Sequence, residues 1–221
     1  MSAAIIETDG RAIVLDLSMG AKLCGRDIAG LSSAELGELI NHTMTEAGTA
    51  FSFGRYAEPR GLYDNENFSS SESTESRTIH MGVDLFCAAG TAVYSPLAAS
   101  VEFVANNARE LDYGPLIILR HKAETGGEFF TLYGHLGLDA LERVSQGQLI
   151  CAGEQIATVG SPPTNGNWPP HLHFQLINDL LGLGVDFPGV AFKSQQDYWL
   201  NLSPSPAGFF PECDAASLEY K

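Results

Sequence analysis

The chain has 221 residues, 44% of them hydrophobic, with 23 glycines, 11 prolines and a formal net charge of -15. That length and apolar content allow a full core, and the glycine and proline content suits a turn-rich β protein better than a helical bundle. The negative balance argues against nucleic acid or an anionic membrane as partner, and no apolar stretch approaches the roughly 20 residues of a membrane span.

The start carries no basic region, and Glu7 and Asp9 break its apolar run, so no signal peptide is read there. A cytoplasmic location is expected, or a periplasmic or secreted one if a leader has been removed. Residues 1–68 read as a small α/β segment. Residues 11–17 are strand-like. Residues 32–44 predict a helix capped by Ser32 or Ser33, with Glu35 in its first turn and Gly48 beyond its end. His42 falls on that helix and reads as a surface or packing residue. Arg55, Glu58 and Arg60 form a charged cluster, read first as an ion-pair network and second as the lining of a polar cleft.

Residues 69–76 contain only Ser, Thr and Glu and read as a polar linker or loop. From 77 to 178 short apolar runs recur between Gly, Pro and Asn turns. Strands are predicted at 91–94, 99–105, 115–121, 129–136, 154–160 and 171–177, with a short helix at 139–144. Residues 179–221 read as an extended C-terminal wrap with one short helix near 195–200. The four cysteines are scattered without paired spacing and read as free thiols, mostly buried. The expected fold is mainly β, an antiparallel sheet or sandwich at 77–178.

Four of the six histidines carry chemical meaning. In a strand, residues i and i+2 share a face, so His171 and His173 project together. His80 and Asp84 lie four apart and converge if the chain bends, which Gly82 permits. Two imidazoles and one carboxylate suit zinc with an open fourth position, and the same trio suits ferrous iron. His135 ends a strand in Tyr133-Gly134-His135-Leu136.

In that order, these elements resemble the lysostaphin-type (LytM-like) zinc metallopeptidases, the twenty-third metallopeptidase family. The resemblance covers residues 77–178. It rests on His80-Met-Gly-Val-Asp84, on Asp112-Tyr-Gly-Pro followed by Thr131-Leu-Tyr-Gly-His135, on the glycine turns near 144–160, and on Pro170-His-Leu-His-Phe-Gln175. It implies a LytM-like (duplicated hybrid motif) β core and one zinc per chain, held by His80, Asp84 and His173. His135 and His171 would flank the attacking water. There is no HExxH, so no helix-borne Glu acts as base. Tyr133, Trp168 and Asn165 are candidates for the substrate cleft. The family default is hydrolysis of amide bonds in short peptides and peptidoglycan cross-links.

Two departures bear on substrate: Gln175 stands where the family commonly has Glu, and Trp168-Pro-Pro leads into His171. The alternatives are a cytoplasmic zinc hydrolase of a non-cell-wall peptide or small molecule, and a binding module without activity. A fainter resemblance links residues 54–63 and 181–191 to segments flanking peptidase-like domains fused to class III aminotransferase-like modules. Oligomeric state is not written in these residues.

Overall fold

Helix formation begins where the sequence supplies a cap. Ser32 Oγ accepts the Glu35 N–H at 3.3 Å, and the Glu35 carboxylate accepts the Ser32 N–H at 3.0 Å. This reciprocal box satisfies two donors that the first turn leaves unpaired. In the computed structural model, residues 2–8, 10–62, 69–70, 73–124 and 126–221 are described. Helix α1 (Ser33–Glu46) buries Leu36, Leu39, Ile40 and Met44 against Leu15, Leu17, Leu23 and Phe86.

Strand β1 (Ile13–Val14) and the hairpin β2 (Lys22–Leu23) and β3 (Arg26–Asp27) precede the helix, and β4 (Ser52–Gly54) follows it. The polar run expected to be a linker is largely strand: β5 (Ser69–Ser70) pairs with β6 (Ser73–His80). Residues 71 and 72 lie outside the described residues. Composition misleads here because the run pairs with itself as β5 and β6, and Glu75 accepts from Ser194 far along the chain.

The remaining strands are β7 (Val83–Phe86), β8 (Ala92–Tyr94), β9 (Ala99–Asn107), β10 (Gly114–Lys122), β11 (Glu128–Gly134), β12 (Leu149–Ile150), β13 (Gln155–Thr158), β14 (His171–Ile177) and β15 (Val190–Phe192). Helices α2 (Ala140–Arg143) and α3 (Gln196–Leu202) fall on the two short helices expected. The tail is therefore more than an extended wrap: it contains α3, short 3-10 turns and β15, which pairs with β6.

Eight strands form the main sheet in the order β1-β4-β7-β14-β11-β10-β9-β12. All its pairs are antiparallel except β1 with β4. The fold is mainly β with an antiparallel-rich sheet, as expected. Both sheet faces are buried, which explains the unbroken apolar run of β10: Ile117 and Leu119 join one core, Leu116 and Ile118 the other. The β8–β13 ribbon brings Val93, Ile156 and Ala157 into the first core.

The cysteine reading needs correcting. All four are free, but only Cys87 is buried; Cys24 and Cys151 are exposed and Cys213 is half-buried. Cys24 sits in the β2–β3 turn with a left-handed φ of 48°, where a side chain has no core to enter.

Phe174 closes the first core and makes edge-to-face contacts with Tyr133 and Phe210 at centroid distances of 5.2 and 5.6 Å. Truncation by Phe174→Ala is expected to lower stability by about 3–5 kcal/mol. Urea unfolding measures this; a change below about 1 kcal/mol would contradict the packing described.

Candidate metal centre

The site grows from one strand pairing. In the β7–β14 ladder His173 lies directly opposite Asp84, so both side chains leave the same face of the sheet. His171 lies opposite Phe86, and their rings stack at 4.8 Å. His80 arrives from another sheet, as the last residue of β6. Gly82 lets the chain cross close over β14. A methyl group there would stand 2.6 Å from His173 Cε1 and 2.7 Å from the Phe174 carbonyl oxygen. The glycine is thus required by a close approach as well as by a bend.

Three side-chain atoms converge. His173 Nδ1 lies 3.0 Å from Asp84 Oδ1 and 3.0 Å from His80 Nε2, and His80 Nε2 lies 3.1 Å from Asp84 Oδ1. All three residues are buried. Their outer atoms decide their protonation. His80 Nδ1 faces the Arg55 carbonyl at 2.8 Å, and a carbonyl only accepts, so the proton is on Nδ1 and Nε2 is bare. His173 Nε2 faces Gln175 Oε1 at 3.0 Å, which likewise leaves Nδ1 bare. Two imidazole lone pairs and a carboxylate oxygen then face one another with no proton between them. Such a set repels itself unless a cation sits among it. Its edges approach the ~3.3 Å of a tetrahedron with metal–nitrogen bonds of about 2.0–2.1 Å. The residues fit a single zinc-like ion.

The second carboxylate oxygen of Asp84 is engaged elsewhere. It accepts from Arg60 Nη1 at 2.5 Å. Arg60 Nε donates to Glu58 Oε2 at 2.9 Å, and Arg55 Nε donates to Glu58 Oε1 at 2.9 Å. The Arg55–Glu58–Arg60 cluster is thus both an ion-pair network and, through Arg60, part of the cleft wall. Burial alone would raise the Asp84 carboxyl, but its interactions with His80, the Arg60 guanidinium and the other site histidines hold it well below its ordinary value.

His135 and His171 stand beside this trio. Their ring centroids are 4.4 Å apart, and His171 Nε2 is 3.8 Å from Asp84 Oδ1. His135 Nδ1 donates to the Asn165 carbonyl at 2.9 Å and His171 Nδ1 to the Pro169 carbonyl at 2.7 Å. Both therefore keep an unprotonated Nε2. Burial lowers both titrations, that of His135 well below normal. His135 also holds a left-handed φ of 60°, a conformation uncommon among non-glycine residues.

A cavity of about 420 Å³ contains all five residues, together with Tyr113, Trp168 and Arg109. Trp168 is buried in the cavity wall with its ring 6.1 Å from that of His135. Two expected cleft residues are elsewhere. Tyr133 pairs with Phe174, one step out of phase with His173, and so points into the opposite core with no exposed surface. Asn165 is fully buried behind His135, supporting it through its main chain while its side-chain amide donates to the Trp168 carbonyl. Tyr113 was missed; its ring lies 5.9 and 5.6 Å from those of His135 and His173. Its position just before β10, beside the Tyr-Gly-His element, was the available signal. Among the described residues a second ligand-type group, Cys24, His42 and Glu46, is fully exposed, and His42 is a surface residue of α1 as expected.

Residues 78–183 match the sequence profile described as Peptidase family M23. These 106 residues, a little under half of the chain, are similar to peptidase family M23. An uncharacterized metalloprotease of Haemophilus influenzae is 38% identical over 115 residues, 51% of this chain and 22% of that protein. The uncharacterized lipoprotein YgeR of Escherichia coli K12 is 34% identical over 95 residues, 43% of this chain and 33% of that protein. The chain thus matches a third or less of the length of these relatives. The catalytic domain of lysostaphin from Staphylococcus simulans aligns at 25% identity and a TM-score of 0.37, covering 55% of this chain and 79% of that one. The M23 match ends before Pro188 and begins after Arg60, so neighbours of the trio lie on both sides of it. No helix among the described residues is long and apolar enough to cross a membrane.

Burial, followed by the Arg60 charge, lowers the His80 titration from 6.5 to about 4. The unfolded chain takes up that proton near pH 6.5, whereas the folded site refuses it until about pH 4. Acid therefore favours unfolding across this window, by roughly 3 kcal/mol from His80 alone. Buried His121, His135 and His171 act in the same direction. Chelator-treated protein should show a urea midpoint that falls steadily from pH 6.5 to pH 4; a flat midpoint would contradict buried neutral histidines.

Proposed function

We propose that the protein is a zinc-dependent peptidase that hydrolyses amide bonds in short peptides, with peptidoglycan-like cross-links as the default substrate class. The observation that carries this reading is the set of three bare donor atoms on His80, Asp84 and His173, with two more bare imidazole nitrogens alongside. The similarity of residues 78–183 to peptidase family M23 and the metalloprotease name of one relative support the reaction class.

Zinc, when bound there, supplies Lewis acidity that lowers the pKa of water to about 7 and polarises a carbonyl. The chain's own residues do the rest. Arg60 holds one oxygen of Asp84 and leaves the other for the trio. His171 and His135, neutral and fixed by main-chain carbonyls, present Nε2 to accept a proton from attacking water. The imidazole that takes the proton can return it to the leaving amine, so the proton is conserved over the cycle.

A second reading is a zinc hydrolase of a non-cell-wall peptide. Leu17, Leu36 and Leu62, all outside the matched region, help to line the cavity, and Gly37 of α1 packs on Pro169 at the rim. The cleft is thereby narrowed by residues that the M23 core does not supply.

Metal analysis of purified protein should give one zinc per chain. His80→Ala and His173→Ala should abolish it, and iron in place of zinc would redirect the assignment. His135→Ala should retain the metal and lose about 10²–10⁴-fold in turnover. Wild-type protein without stoichiometric metal would sink the proposal. Peptidoglycan fragments and unrelated short peptides, assayed side by side, separate the two substrate readings.

A further inference from the structure

We propose that Gln175 is a positioning residue, locked by the C-terminal segment, that sets the tautomer of His173. The inference rests on the reading of His173 as a metal ligand, and it assigns a task to residues beyond the M23 match.

The chain of hydrogen bonds has a fixed direction because its ends are fixed. Gln175 is fully buried. Its side-chain Nε2 lies 3.1 Å from the Pro188 carbonyl and 2.9 Å from Ser203 Oγ. The carbonyl can only accept. Ser203 Oγ has a single proton and faces two main-chain carbonyls, of Leu176 at 2.7 Å and of Met81 at 3.2 Å, so toward Gln175 it too can only accept. Both positions therefore demand the amide NH₂ of Gln175. Its oxygen is left facing His173 Nε2 at 3.0 Å, and that nitrogen must carry the proton. Nδ1 is then a bare donor aimed at Asp84 and His80. The direction set by two main-chain carbonyls is thus passed through Ser203 and Gln175 to the atom that meets the metal.

The opposite tautomer is excluded by the same geometry. It would need the Gln175 amide to flip, which sets oxygen against the Pro188 carbonyl and against a hydroxyl with no proton to spare. It would also place an N–H on the ligating face of His173. A glutamate at 175 would keep an acceptor for His173 but would offer no N–H to Pro188 or Ser203. Here the neutral amide fits a pocket whose other two positions are acceptors. The three other site histidines face main-chain carbonyls directly. His173 alone has its tautomer set through an intermediary from the tail.

The test uses the full chain labelled with ¹⁵N-histidine. Two-bond nitrogen–proton correlations on the chelator-treated wild type should show His173 protonated at Nε2. An Nδ1–H pattern overturns the proposal without any variant being made. Gln175→Leu removes the acceptor at similar volume and should weaken zinc affinity by about 10–100-fold in chelator competition. Ser203→Ala should weaken it to a lesser degree and admit the second tautomer, and Ser203→Thr, which keeps the hydroxyl, should restore both readouts. Unchanged affinity and tautomer in a folded Gln175→Leu would overturn the proposal. If the wild type binds no zinc yet shows Nε2–H at His173, the metal reading fails while the lock stands, so the two failures are distinguishable.

Discussion

Asp84 is a buried carboxylate, and the arrangement around it follows from that single charge. An ion removed from water must be matched by charge or hydrogen bonds, and breaking a buried pair on one side costs on the order of 3–5 kcal/mol. Arg60 supplies the match on one oxygen. Arg60 then needs its own company, which Glu58 provides, and Glu58 in turn accepts from Arg55 and from the Leu17 N–H. Gly54, paired with Asp84 in the β4–β7 ladder, leaves space for this: a methyl group there would lie 2.5 Å from Arg60 Nη2. One buried carboxylate thus recruits a run of residues at 54–60 and ties the first strands to the candidate metal centre.

Much of the site is legible in the residue spacing, and the reasons are geometric. His171 and His173 share a face because strand side chains alternate, and the β7–β14 register then delivers Asp84 to that face. His80 reaches that face across a bend at Gly82, which the glycine itself announces. Alternation was also the signal that went unused for Tyr133. It lies next to Gly134, which pairs with His173, so it had to point the other way. The polar run at 69–76 departs from its local composition for a different reason. Its strand character at 73–76 comes from pairing with β5 and from a tail contact in which Glu75 accepts from Ser194, a contact 119 residues away. Long-range pairing of that kind leaves no local trace. Cys24 and Cys151 show the limit of residue-type averages, since turn positions override the tendency of cysteine to be buried.

Gln175 and Ser203 mark the boundary of what spacing can reveal. Gln175 is visible in sequence only as a departure from a common Glu, and Ser203 is one of four serines among residues 179–221, with no motif around it. Their meaning depends on which atoms are acceptors, and that is a property of the assembled structure. A buried amide has two donors and two acceptor sites, so its orientation carries information only when its partners are unambiguous. Main-chain carbonyls are unambiguous, and the Ser203 hydroxyl becomes so once the Leu176 carbonyl takes its proton.

The same logic links the two terminal segments to the domain between them. Arg55 and Arg60 reach the trio from one side, through His80 Nδ1 and Asp84 Oδ2. Pro188 and Ser203 reach it from the other, through Gln175 and His173 Nε2. In each case a group outside residues 78–183 fixes the outer atom of a candidate ligand, and the inner atom is left bare as a consequence. Bringing bare donors together costs free energy in the absence of a cation, and the fold bears that cost through contacts at its periphery. The converse is that an ion entering the trio relieves repulsion already present. Binding of such an ion is then coupled to the stability of the whole chain, the N-terminal strands and the tail included.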